Sequence, residues 1–175
     1  MIKLILLGLA IFGAFFVGTA YYVGDDSTAG GVGPNNTVLY YIDGISEWVE
    51  LNVLTRDETK KVELKLKFMQ ERLDELSDLE RLQKMSQENV EKVKAGYTKL
   101  ADDVIASLKQ KAADTADAQA KALVQKASGV VAKQQESLMQ ILEKAPAPVK
   151  EPLQGVLSIT QDAYQRAMDI IKEQK

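Results

Sequence analysis

The sequence predicts an all-α protein, with one N-terminal transmembrane helix followed by an extracytoplasmic antiparallel bundle of about five helices. Three observations support this fold class. An uncharged apolar run opens the chain at Leu4–Val23. Apolar residues then recur at alternating spacings of three and four, the period of a helix stripe. The four Pro and eleven Gly lie mostly outside these periodic parts. We therefore divide the chain into a membrane segment (1–23), a Gly-rich linker (24–36) and a bundle domain (37–175).

The apolar run has the length of a membrane span. As an α-helix, Leu4–Val23 extends over about 30 Å, the thickness of the hydrocarbon core of a bilayer. Lys3 precedes it and Asp25 and Asp26 follow it. This asymmetry predicts a cytoplasmic N-terminus and an extracytoplasmic domain. The alternative is a secretory signal cleaved after the small residues Gly18–Ala20, which would leave a secreted domain.

Two features of this segment are candidate contacts. Tyr21 and Tyr22 lie at its outer edge, where tyrosine rings prefer the membrane interface. Ala10, Ala14 and Gly18 repeat every four residues, a pattern that allows membrane helices to approach closely. The simpler explanation of this repeat is that small residues are common in membrane helices.

The next stretch predicts a flexible tether and a first bundle helix. Residues 24–36 (GDDSTAGGVGPNN) are rich in Gly and small polar residues. The only Trp, Trp48, borders the stripe of the following helix. We expect it to pack in a buried or membrane-proximal position; stacking on a ligand is the alternative. The stripe of this helix is formed by Val38, Ile42, Ile45 and Val49.

Local signals predict where the next two helices begin. Thr55 and Glu58 have the spacing of a capping box and open a long helix. Ser86 caps the helix after it, following a turn near Lys84–Met85. The first stripe is Val62, Leu66, Met69, Leu73, Leu76, Leu79 and Leu82, and the second is Val90, Val93, Tyr97, Leu100, Val104 and Leu108.

Two further helices complete the predicted bundle. Asp114–Asp117 resembles another cap, Gly129 could break the helix that follows, and Pro146–Pro148 ends it. A last helix begins between Pro148 and Pro152. The stripe of the third helix contains Ala116, Ala120, Ala127, Val130, Val131, Leu138, Ile141 and Leu142, and that of the last contains Val149, Leu153, Val156, Thr160, Tyr164, Ala167 and Ile171.

Charged residues predict solvated helix surfaces. Acid-then-base pairs four residues apart are Glu63–Lys67, Glu80–Lys84, Glu88–Lys92 and Asp162–Arg166. An acidic patch is formed by Glu71, Asp74, Glu75 and Asp78. We interpret this patch as a solvated face, since no loop of Ca²⁺-binding pattern accompanies it.

The composition argues against most kinds of chemistry. The chain has no Cys and no His, which removes thiol chemistry and the commonest general base and metal ligand. It also lacks a phosphate-binding loop, a dinucleotide fingerprint and a nucleophile elbow. A net charge of −3 gives no reason to expect nucleic acid as a partner. We predict a protein that is not an enzyme, has no cofactor or metal, and has no evident small-molecule substrate.

Two segments carry motifs of a known kind. Residues 38–76 contain a turn and helix motif at Leu54-Thr55, Glu63-Leu64, Leu66, Phe68 and Glu71-Arg72-Leu73. A second motif lies at residues 135–160 (QESLMQILEKAPAPVKEPLQGVLSIT). In both motifs the chain resembles an uncharacterised bacterial domain family of exported or membrane-anchored envelope proteins. Family members often have His where this chain has Glu136 or Ser137. The resemblance implies export and a helical fold, and it implies no reaction.

These observations favour a non-enzymatic interaction or scaffold module of the cell envelope. Residues 4–23 would hold it at a membrane, and its partner would be another protein or another copy of the chain. One alternative is binding to lipid or a membrane surface through amphipathic helices, suggested by the Ala-rich stretch 112–144. The other is a subunit of a filament or multi-subunit membrane assembly, packed through Ala10, Ala14 and Gly18.

Overall fold

The computed structural model describes residues 47–114 and 118–173, and every element in these ranges is helical. The all-α class, with about five helices, is confirmed. A π-helical turn at Glu50–Leu54 precedes the first long helix, and a 3-10 turn at Ala147–Val149 precedes the last. The long helices are α1 (Glu58–Arg81), α2 (Gln87–Asp114), α3 (Ala118–Lys144) and α4 (Lys150–Glu173).

The predicted membrane segment and its linker lie outside the described residues. So do Ala10, Ala14, Gly18, Tyr21 and Tyr22. Within 47–114 and 118–173, no helix combines the length and apolar character required to cross a bilayer.

The four long helices form a bundle in which α1 packs on α2 and α3, while α4 packs on the same two helices. Two neighbouring pairs of helices run parallel. Glu63 of α1 contacts Lys126 of α3 at 2.6 Å, and Leu66, further along α1, contacts Gln134, further along α3.

In the same way, Tyr97 of α2 contacts Thr160 of α4, and Asp102 contacts Arg166 at 2.9 Å. The predicted antiparallel arrangement is therefore wrong for α1–α3 and for α2–α4. Since α1 and α4 each pack on α2 and α3, the order around the bundle is α1–α2–α4–α3, and the chain crosses the diagonal between α2 and α3.

The predicted stripes form most of the core. All six stripe residues of α2 are buried, as are six of the seven in α1, with Leu82 half-buried. In α4 the prediction is wrong for Tyr164 and Ile171, which are half-buried, because Ala163 and Ile170 face inward instead. From Thr160 the buried positions advance by three, four and three residues. Small Ala163 and Ala167 line this face of α4, on which α2 and α3 pack.

The start of α1 differs from the predicted capping box. Asp57 is the N-cap, and its carboxylate accepts a hydrogen bond from the Lys60 N–H at 3.0 Å. This bond lowers the pKa of Asp57. Thr55 instead closes the preceding π-helical turn, since its N–H donates to the Glu50 carbonyl at 3.0 Å. The cap lies two residues later than predicted because the π-helical turn uses Thr55.

The link between α1 and α2 confirms the predicted cap and turn. The Ser86 hydroxyl accepts a hydrogen bond from the Asn89 N–H at 3.2 Å. At the end of α1, Gln83 has a φ of 56°, and the Lys84 N–H donates to the Leu79 carbonyl at 2.9 Å. This is a Schellman motif with glutamine at the left-handed position that usually holds glycine.

The C-terminal end of α3 agrees with the sequence, but its interior does not. The prediction that Gly129 breaks the helix is wrong, because α3 runs unbroken from Ala118 to Lys144. Of the predicted cap, Asp114 is the last residue of α2, and residues 115–117 lie outside the described ranges. The proline segment ends α3, and α4 begins at Lys150 with Pro152 in its first turn, where its missing N–H has no helical acceptor.

Candidate functional site

A groove of about 450 Å³ lies where residues 47–54 approach α1 and α2. This size falls within the range of small-ligand sites in proteins. Apolar surface and both signs of charge meet in it. The lining residues are Glu47, Trp48, Leu51, Asn52, Glu58, Lys61, Lys65, Arg72, Gly96, Lys99, Leu100 and Asp103.

A buried arginine fixes the segment that forms one wall of the groove. Arg72 of α1 is 3% exposed, and its guanidinium donates to the carboxylates of Glu75 and Glu47. Leu51, one turn after Glu47, packs against the core. Glu47 contacts Arg72 in the second half of α1, whereas Leu54 comes shortly before Glu58, the first residue of α1. The segment 47–54 therefore runs antiparallel to α1. This arrangement combines a buried ion pair with an apolar contact.

The acidic patch is only partly the solvated face predicted from the sequence. Glu75 is 1% exposed and bound to Arg72, so the prediction is wrong at this position. Burial of a carboxylate requires such a partner, because desolvation of a charge is costly. The other three acids take partners on the same helix, which are Lys67 for Glu71, Gln70 for Asp74 and Arg81 for Asp78. The described residues contain no group of three or more acids that could hold a metal ion.

The lysines of the groove differ in how they are held. Lys61 forms an ion pair with Glu58 at 2.7 Å. Lys65 is half-buried, and its ammonium donates to the Ser107 hydroxyl at 3.1 Å and to the Asp103 carbonyl at 3.4 Å. Lys99 is exposed and forms no ion pair with any described residue. Two ammonium groups of the groove are therefore not neutralised by a direct carboxylate contact.

Apolar side chains are exposed on residues 47–54, the segment that forms one wall of the groove. Trp48 is 58% exposed, Val53 53% and Leu54 71%. We call these three residues the apolar rim. The expectation that Trp48 is buried is wrong, because Leu51 takes the inward position of this segment. Whether Trp48 is close to a membrane stays a prediction.

A second polar cluster lies in the centre of the bundle and is closed to solvent. Tyr97, Gln134 and Thr160 are each 0% exposed. The Tyr97 hydroxyl donates to Gln134 Oε1 at 3.0 Å and accepts from the Thr160 hydroxyl at 3.1 Å. Gln134 Nε2 lies 3.5 Å from the Leu66 carbonyl, so the network has members on all four helices. We call it the central network.

The central network holds neutral groups. Burial raises the pKa of Tyr97 to about 12, although the Thr160 hydroxyl opposes the shift. The phenol therefore stays protonated near neutral pH and serves as a hydrogen-bond donor. The stripes of the sequence included Tyr97 and Thr160 but missed Gln134. Its only signal was a polar residue between Val131 and Leu138, at the spacing of the apolar stripe.

The Ala-rich helix does not present a free amphipathic face. Its inward residues pack in the core. Its outer face is polar apart from the small residues Ala122, Gly129 and Ala132 and from Met139, which is 55% exposed. The apolar stripe of α3 is therefore not exposed for binding to lipid. The buried residues of this stripe are Ala120, Leu123, Val124, Ala127, Val131, Leu138 and Ile141.

Comparisons with protein-family models, curated proteins and solved structures found no match for this chain. The resemblance to an envelope domain family stays a prediction.

Proposed function

We propose that this protein is a non-enzymatic interaction module of the bacterial cell envelope. Residues 4–23 hold it at the membrane, and the helical bundle lies outside the cytoplasm and binds another protein. The layout of the sequence supports the location, since an apolar run of membrane length is followed by a Gly-rich linker and a helical domain. The absence of His and Cys from the sequence supports a role in binding rather than catalysis.

The apolar rim is the observation that carries the proposed role in binding. Three of the four large apolar side chains exposed in the described ranges belong to it. Trp48, Val53 and Leu54 lie within a stretch of seven residues on one element. Aromatic and large aliphatic side chains that cluster at a surface are typical anchors of protein interfaces. Isolated exposed apolar residues are normal, so the clustering is what points to a contact surface.

Site-specific photocrosslinking in native membranes tests the binding surface. A photoreactive phenylalanine derivative replaces Leu54 of the full chain, and the same derivative replaces Gln125 on the exposed face of α3 as a control. We expect a reproducible protein adduct from position 54 that position 125 does not give. Equal adducts from both positions, or none from position 54, would contradict the proposal.

Flotation of membranes separately tests the attachment. The full chain should remain with the membrane after extraction at alkaline pH, as an integral protein does. Release into the soluble fraction would contradict the membrane anchor. The crosslinking experiment would still test the protein contact independently.

A further inference from the structure

We propose that the groove between residues 47–54, α1 and α2 binds a small amphipathic organic anion. The ligand has an apolar body and one carboxylate or sulfonate group. The groove shares Trp48 with the apolar rim, but its other lining residues do not belong to the rim, and ligand binding depends neither on the membrane anchor nor on a protein partner. The shape, apolar surface and charge of the groove all suit such a ligand.

The shape provides a cleft rather than a flat patch. Residues 47–54 run back along α1 and stand above α2, leaving about 450 Å³ between them. Gly96 on α2 contributes to the lining without a side chain. The buried ion pair between Glu47 and Arg72 fixes the wall opposite α2. The cleft is thus formed before a ligand arrives, which reduces the entropy cost of binding.

The apolar part of the lining fits a planar or chain-like body. Trp48, Leu51 and Leu100 all border the groove. The exposed Trp48 ring offers a face for stacking or for an aliphatic chain. Leu100 is 9% exposed and provides a fixed floor from α2.

The charged part of the lining favours an anion. Lys61 is paired with Glu58, and Arg72 is paired with Glu47 and with Glu75, which is buried and does not line the groove. The remaining charged groups of the lining are Lys65, Lys99 and Asp103. At the surface of the groove two ammonium groups therefore face one carboxylate, a local surplus of positive charge. A single carboxylate or sulfonate at Lys65 and Lys99 matches that surplus, and its hydrogen bonds would be charge-assisted.

Titration of the full chain in a nonionic detergent tests the proposal by NMR. Trp48 is the only tryptophan, so the chain has one indole N–H signal, and this signal lies at the groove. The probe is naphthalene sulfonate, with naphthol as an uncharged probe of the same aromatic frame. We expect naphthalene sulfonate to shift the indole signal and the amide signals of Gly96 and Lys99 in a saturable way. A Kd on the order of 1 mM is expected for a probe of this size.

Two variants distinguish recognition of the anionic group from nonspecific binding of the apolar body. Lys99→Gln should weaken binding of naphthalene sulfonate about three-fold, in keeping with one exposed charge contact, and should leave naphthol unaffected. Lys133→Gln, which removes an exposed lysine of α3, serves as the matched control and should change neither titration. Equal affinity for the two probes, no effect of Lys99→Gln, or no saturable shift would each overturn the proposal.

Discussion

The phenol of Tyr97 donates a hydrogen bond of 3.0 Å to the amide oxygen of Gln134, in a part of the bundle where both side chains are fully buried. Tyr97 belongs to α2 and Gln134 to α3, the two helices on one diagonal of the bundle. Thr160 of α4 and the Leu66 carbonyl of α1 complete the network. The contact therefore joins two helices that pack less closely on each other than on their neighbours.

Removal of the phenol should destabilise the bundle. Tyr97→Phe leaves buried Gln134 without the donor to its oxygen, at a cost of about 1–3 kcal/mol in the free energy of unfolding. Urea unfolding of the full chain measures the loss. The triple variant Tyr97→Phe/Gln134→Leu/Thr160→Val should recover much of the lost free energy of unfolding. In this variant none of the three side chains is a buried polar group without a hydrogen-bond partner. A triple variant less stable than Tyr97→Phe alone would contradict this account.

The same phenol predicts a loss of stability at high pH. Its pKa is near 10 in the unfolded chain and about 12 in the folded one, because burial disfavours the phenolate. The folded state thus retains its proton longer, and this stabilisation is complete below pH 10. It should decrease as pH rises from 10 to 12, by about 2–3 kcal/mol.

Unfolding measured at pH values between 9 and 12 checks this prediction. Lysines titrate in the same range, so Tyr97→Phe is the control. Its stability should fall less steeply with pH than that of the unsubstituted chain. Parallel pH profiles for the two proteins would show that Tyr97 is not the group responsible.

The buried ion pair of α1 predicts a large effect of a single substitution. Arg72→Met removes the cation that Glu75 and Glu47 share and leaves Glu75 charged in the core, at a cost of about 3–5 kcal/mol. Thermal unfolding measures it. The double variant Arg72→Met/Glu75→Leu should be more stable than Arg72→Met alone, since the buried carboxylate is gone. Additive losses in the double variant would argue against this explanation.

Two glycines in helices should respond to alanine substitution to different extents. A Cβ added at Gly129 meets no atom within 4 Å, so Gly129→Ala should stabilise the protein by about 1 kcal/mol through helix propensity. A Cβ at Gly155 would lie 2.9 Å from Lys94 Cε, which must move. Gly155→Ala should therefore gain clearly less. The two midpoints of thermal unfolding, compared directly, test this; equal gains would show that the Lys94 side chain moves at no cost.

The start of α1 predicts which of two residues matters as a cap. Asp57→Ala removes the acceptor of the Lys60 N–H and should cost about 1 kcal/mol. Thr55→Ala should have a smaller effect, because the hydrogen bond that places Thr55 uses its backbone. Urea unfolding of both variants decides between this cap and the capping box expected from the sequence. A larger loss for Thr55→Ala would favour the capping box.

The core was predictable to the extent that it depends on local spacing. Every stripe residue of α2 and most of those in α1 are buried, because the position of a residue around a helix follows from its number alone. The interior of α3 was harder to predict. Gln134 is polar, and its burial depends on Tyr97 and Leu66, which lie 37 and 68 residues away in sequence. No local pattern contains that information.

The groove was not predictable for a related reason. The sequence showed Trp48 beside an apolar stripe, which usually indicates packing. It did not show the π-helical turn, which closes on Thr55 and places Leu51 inward and Val53 and Leu54 outward. Glu75 likewise belonged to an acidic stretch, and its burial is explained only by Arg72 and Glu47. Sites built from several elements need the tertiary structure.

The backward course of residues 47–54 determines how the domain would bear mechanical load. Tension applied at Glu47 reaches α1 at Arg72, not at the N-terminal end of α1. Arg72 lies fourteen residues after Glu58, or about 21 Å along the helix axis. The Arg72–Glu47 pair must then separate before tension reaches the π-helical turn and Asp57. Under force this ion pair acts as a clamp that shields the first turn of α1.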